Sequence, residues 1–300
     1  MNPVTSRFSG LTEHQDVLFI LGGALFISFS ANWVAWSQVD PMVSAFYRVF
    51  FGFIFLGAAC LLRGEIRPVT RRSLGYCVLC GLFFAADLYC WHLSIRYVGP
   101  GLATILGNFQ VFVLTIVSLL FFGQPVRLLF LASLPLAFAG LFLIIGINWD
   151  NLSDQYQLGI FFGLATAVFY TGFILSLRKF QQIHTELSFT YVLLLTSITT
   201  SLVVAPLITA TGKSFTIPSL QSFASLVGLA LFSQAIGWAC ITRSLPKVIP
   251  SVAGLILLLQ PSLAFLWDVL LFNRQTSGVQ WLGVAIVIIA IYLGISSARK

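Results

Sequence analysis

Apolar residues come in ten long, nearly continuous runs along this chain. They lie near residues 17–37, 42–62, 74–95, 100–121, 128–147, 158–177, 188–208, 222–242, 250–272 and 278–296. Charges, prolines and glycines separate them. No run alternates apolar with polar positions in the way a transmembrane β-strand does. Each is close to the roughly 20 residues a helix needs to cross a bilayer. The pattern predicts an all-α, polytopic membrane protein with ten transmembrane helices. The opening residues, with Arg7, Glu13, His14 and Asp16, read as a polar tail. The run after them is too long for a signal peptide and lacks a small-residue cleavage site, so it reads as the first span.

Composition narrows the class further. The chain is 58% apolar and 8% charged, with a mean hydropathy of +0.97. Soluble domains carry about 25% charged residues, so a soluble enzyme or a disordered chain is excluded. The net charge of +7 is a matter of topology. With the N-terminus in the cytoplasm, twelve of the 16 basic residues fall inside: Arg7, Arg63, Arg67, Arg71, Arg72, Arg127, Arg178, Lys179, Arg243, Lys247, Arg299 and Lys300. Arg96, Lys213 and Arg274 fall outside and Arg48 lies within a span. That asymmetry predicts a multi-pass protein of the cell's inner membrane with both termini cytoplasmic. It leaves no basic face for nucleic acid. All five cysteines sit in apolar runs, and the Cys77–Cys80 pair has no second ligand pair, so both read as packing residues. No metal or cofactor is expected. No Walker A loop, zinc-protease motif or potassium-filter signature is present.

The chain repeats itself at an offset of 150 residues. Val98, Pro100, Ala103 and Gln110 recur as Val248, Pro250, Ala253 and Gln260, and Ala85, Cys90, Ser94 and Phe122 recur as Ala235, Cys240, Ser244 and Phe272. Each unit, 1–148 and 149–300, holds five spans. Five is odd, so the second unit enters the membrane the other way up. Inverted-topology duplication is typical of secondary transporters, with substrate near the midplane between the halves.

The chain resembles the drug/metabolite transporter superfamily, in particular its EamA-type permeases with two tandem five-helix units. The resemblance is carried by Pro41 with Tyr47-Arg48, by the stretch from Trp91-His92 through Val98-Gly99-Pro100 to Asn108-Phe109-Gln110, and by Pro250, Gln260-Pro261 and Trp281-Leu282-Gly283. It implies a cytoplasmic-membrane carrier of small organic metabolites, often amino acids and often exported, working by alternating access. A monomer or homodimer in the lipid bilayer is expected, with protons as one option for coupling. An importer or exchanger of a cofactor or nucleotide-like metabolite, and an uncoupled facilitator, remain alternatives.

Polar side chains inside spans are costly and mark candidate sites. Asp87 lies too deep to reach the interface and reads as a proton-coupling or amine-binding carboxylate, or as a structural acid. Cys80, Phe84, Trp91 and Ser94 share its helix face, and Trp91 suits an apolar or aromatic cation. Five residues on, His92 is off that face and reads as a solvated histidine near the outer interface. Arg48 either pairs outward with Asp40 or a lipid phosphate, or grips a substrate carboxylate. Asn108 shares a stripe with Thr104 and Thr115. Gln110 is on the other side of that helix. The repeat-related Gln110 and Gln260 either bridge the halves, bind substrate or act as packing glue. Pro261 frees a backbone carbonyl. Gln234 and Trp238 share a face, and Tyr170 lies mid-span. Trp33 and Trp36 read as interfacial belt residues.

Overall fold

The structure, a computed structural model, describes residues 3–122, 127–145, 153–272 and 276–298. The boundary between the two repeats, and Arg274, Arg299 and Lys300, lie outside the described residues. Every described element is helical. In chain order the rods are α1 (Gln15–Ser37), α2 (Pro41–Arg63), α3 (Arg71–Val98), α4 (Leu106–Phe121), α5 (Leu128–Ile144), α6 (Asp154–Ile183), α7 (Phe189–Ala210), α8 (Leu220–Ser244), α9 (Val252–Leu271) and α10 (Gly278–Gly294). Seven of them are long and apolar enough to cross a membrane, and α4, α5 and α10 are shorter apolar helices. The helix of α1 begins at Pro3, so the polar opening residues continue the first rod instead of forming a separate tail. Proline is well placed there, because the first N–H of a helix has no partner to lose.

Short polar side chains start the rods. Asp40 accepts from the Met42 N–H with Pro41 at the first helical position. Thr70 and Ser73 form a reciprocal capping box, and Ser153, Ser188 and Ser219 cap α6, α7 and α8. Each satisfies donors that would otherwise be orphaned at a helix end. Gly64 closes α2 at φ 63°, a left-handed geometry that favours glycine.

The residues from Arg71 to Asn108 are all helical. Even so, the path folds back between α3 and α4, because Ser94 and Leu106 both stand against Gly163. Rods five places apart in the chain pack on one another: α2 on α7, α4 on α9 and α5 on α10. α1 also packs on α8, and its repeat counterpart α6 on α3.

Small residues make the tightest crossings. A Cβ on Gly140 would stand 2.7 Å from the Gly283 carbonyl oxygen, and one on Gly283 2.6 Å from that of Gly140. Backbone meets backbone here, so a side chain cannot be accommodated by rotation. Gly283→Val is expected to cost about 1–3 kcal/mol, seen as a lowered thermal midpoint in detergent. An unchanged midpoint would mean that α5 and α10 do not cross at this point.

Candidate functional site

Three of the rods are broken. α1 breaks at Phe29, where the hydroxyls of Ser28 and Ser30 each donate to a backbone carbonyl three residues back at 2.6 Å. Such local bonds compete with the helix ladder. α4 breaks at Phe109 and α9 at Leu258. The two breaks match across the repeat offset to within one residue. Pro261 accounts for the second, since it has no N–H for the carbonyl one turn earlier. α8 carries a π-helical stretch, Leu229–Gly237, a form frequently found at functional sites.

These irregular segments surround one cavity of about 130 Å³. It is lined from α1 by Ile27, Ser28 and Ser30, from α2 by Arg48, from α3 by Phe84, Asp87, Leu88 and Trp91, and from α4 and its approach by Thr104, Gly107 and Asn108. Thr166 and Tyr170 of α6, Trp238 of α8, and Gln260, Pro261 and Ala264 of α9 complete the wall. The volume equals that of about four waters at roughly 30 Å³ each. Pockets for drug-sized ligands hold about 300–1,000 Å³, so this shape suits a single small molecule.

Two opposite charges face the cavity. Arg48 is buried, and its Nε donates to Gln234 Oε1 at 3.2 Å. Gln234 in turn donates from Nε2 to Ser197 Oγ at 3.2 Å. Gln234 comes this close to α2 because Gly52 opposite it has no side chain: a Cβ there would lie 2.5 Å from Gln234 Cγ. Asp87 is buried on the α3 side of the cavity. No ion pair joins Asp87 to Arg48 among the described residues. The guanidinium lies 5.9 Å from the Phe84 ring centroid. Phe84, Phe173 and Trp238 pack as a trio, with centroids 4.4–5.8 Å apart, and Phe84 and Trp238 of it line the cavity. Tyr170 packs edge-on to Trp238.

Of the residues singled out from sequence, Arg48, Asp87, Trp91, Asn108, Tyr170, Trp238 and Gln260 meet in this cavity. Asn108 turns its Nδ2 to the Thr104 carbonyl at 2.7 Å. Gln110 and Gln234 stand outside it. Gln234 supports Arg48 from behind, and Gln110 is fully buried with both amide atoms unpartnered. Gln234→Leu would leave Arg48 without its orienting partner and is expected to slow transport about tenfold, the worth of one charge-assisted hydrogen bond. Flux measured in vesicles checks this, and wild-type flux would contradict it.

Other positions differ from the sequence reading. His92 is not solvated: it is buried, and its Nδ1 sits 2.6 Å from the Leu88 carbonyl oxygen, one turn back on the same helix. Asp40 pairs with Lys213 at 2.7 Å and not with Arg48. Trp33 stacks on Phe232 and lies against Gly228, whose bare backbone admits the ring. Trp36 packs against Trp33 and Phe29. Ser28 and Ser30 had no signal in the sequence beyond their polarity within an apolar run.

The model of the EamA-like transporter family matches residues 15–146 and, a second time, residues 157–296. The chain belongs to the EamA-like transporter family. It is a multi-pass membrane transporter and not an enzyme. A protein of Synechocystis sp. named an uncharacterized transporter is 25% identical over 76% of this chain and 68% of its own length. Another so named, from Clostridium kluyveri, is 20% identical over 95% of this chain and 94% of its own. A solved protein structure superposes with a TM-score of 0.81 at 17% identity, covering 93% of this chain and 98% of that one. This shows a shared fold.

Proposed function

We propose that this family member exports a small zwitterionic metabolite of amino-acid type across the cytoplasmic membrane by alternating access, in exchange for protons. The observation that carries the reading is Arg48 and Asp87 facing one small cavity without pairing to each other. A buried cation and a buried acid kept apart are costly unless a ligand bridges them. A molecule with a carboxylate and an ammonium group fits both. Arg48 takes the carboxylate in a two-pronged grip. Asp87 takes the ammonium, and Trp91 and Tyr170 give an apolar and aromatic wall for the side chain.

Proton coupling follows from competition at one carboxylate. Asp87 holds either the ammonium or a proton. A proton arriving from outside displaces the amine, and the amine arriving from inside displaces the proton. The outward direction is the one the family resemblance implies. The cavity volume favours this reading over a nucleotide-like or cofactor cargo.

The packing of α2 on α7, α4 on α9 and α5 on α10 supports two inverted five-helix units crossing the membrane ten times. Taken with the basic residues inside, the cavity opens toward the outer face. Its lining residues lie in the outer parts of α1, α3, α6 and α9, and the Phe84–Phe173–Trp238 trio forms its floor. Below the floor, Asp16 accepts from Ser244 Oγ at 2.8 Å and from Lys247 Nζ at 3.3 Å. Arg178 donates to the Val248 carbonyl and Gln181 Nε2 to that of Thr242, so the α8–α9 connection is tied to α1 and α6.

Metabolite profiling of cells and medium tests the reading, comparing a deletion strain with an over-expressing one. An amino-acid-like compound should rise in the medium on over-expression and build up inside on deletion. A compound depleted inside the deletion strain would reverse the direction.

A further inference from the structure

Gln110 is fully buried, and neither its Oε1 nor its Nε2 meets a hydrogen-bond partner. An amide sealed away from water without partners is expensive, and native proteins rarely keep one without a use. Its repeat mate Gln260 is in a different setting, in the wall of the cavity. Gln110 stands one residue, and Gln260 two residues, after the break in its rod. Gln110 is thus sealed in while Gln260 borders the cavity, although Gln260 Nε2 also lacks a hydrogen-bond partner.

An inverted repeat gives a transporter its second state by letting the two halves exchange conformations. The 150-residue offset therefore says which residues line the cavity when it opens to the other face. Within the stretch where that offset holds, Gln260 maps to Gln110 and Phe84 to Gln234. Leu88 and Trp238 map onto each other and line both forms. Asp16 and Arg178 are two of the residues that tie down the α8–α9 connection. Those ties act as a latch below the aromatic floor.

We infer that Gln110 is the inner-state counterpart of Gln260: it is buried and idle while the cavity opens outward, and contacts substrate once the Asp16–Ser244–Lys247 latch releases. The inference rests on the alternating-access reading above. The unpaired amide destabilises the outward-open form and so favours release. Substrate passes from Gln260 to Gln110 as the halves exchange.

Cysteine accessibility tests this. Gln110→Cys and Gln260→Cys are placed singly in a background whose five native cysteines are replaced, and membranes are treated with a permeant maleimide. Gln260→Cys should label and Gln110→Cys should not. Adding Asp16→Asn with Lys247→Gln should raise Gln110→Cys labelling and lower that of Gln260→Cys, each by about fivefold. If Gln260→Cys becomes protected while Gln110→Cys stays unlabelled, the protein changes state without Gln110, which overturns the inference and leaves alternating access standing. If neither position responds, both fall. A second variant guards against a background that does not fold. Gln110→Leu in the native sequence should raise the thermal midpoint in detergent, yet slow counterflow of a panel of radiolabelled amino acids about tenfold. A higher midpoint with unchanged counterflow would make Gln110 a purely structural burden and overturn the inference.

Discussion

Arg48→Lys is expected to slow transport of the zwitterionic substrate about 30- to 100-fold while leaving a folded protein. Lysine keeps the charge, so the electrostatic character of the cavity survives. It loses the planar fork that grips a carboxylate at two points and still bonds Gln234 through Nε. Losing that geometry in a buried site is worth about 2–2.7 kcal/mol, which gives the stated range. A structural role alone predicts a different pattern: a lower thermal midpoint, with flux per folded molecule near wild type. Counterflow in proteoliposomes, normalised to folded protein, separates the two.

Asp87→Asn has the second large effect. The amide cannot take up a proton, so a pH gradient should no longer drive accumulation, and the ratio across the membrane should fall to about one. Exchange of substrate for substrate needs no proton and should persist at a reduced rate, because Asn still offers an oxygen to the ammonium. Loss of the charge in a confined site should cost that exchange about tenfold or more. If the variant keeps full accumulation driven by the pH gradient, Asp87 does not carry the proton.

Much of this architecture could be read from the chain alone, for a simple reason. A bilayer demands long apolar helices whose backbone bonds are all internal, so ten runs translate directly into ten rods. The charge asymmetry and the 150-residue offset needed no more than counting. The rarity of polar residues in such runs also made Arg48, Asp87 and Gln260 visible before any coordinates. The local irregularities were not visible. Pro261 gives a reason for the break at Leu258, but nothing comparable marks Phe109, Phe29 or the π stretch of α8. Those depend on Ser28 and Ser30 bonding back to carbonyls, and on what the neighbouring rods press against.

Helix-face arithmetic was sound within one rod and silent between rods. It set Gln110 apart from Asn108. It could not show that Gln234 would sit behind Arg48 across the gap left by Gly52. His92 illustrates the same limit. Its position along α3 suggested an outer interface, but packing between rods, which the chain alone does not show, buries it. Trp33 likewise lies against Gly228, in a distant rod, whose bare backbone leaves room for its ring.

The most direct test of the central claim is a counterflow competition in proteoliposomes loaded with the substrate that profiling identifies. The competitors are matched in size: the amino acid, the carboxylic acid lacking its amine, and the amine lacking its carboxylate. The Arg48–Asp87 cavity predicts that only the molecule carrying both charges competes, with each single-charge analogue weaker by about 30-fold or more. Equal competition by either analogue would contradict it, because one of the two charges would then be idle in recognition.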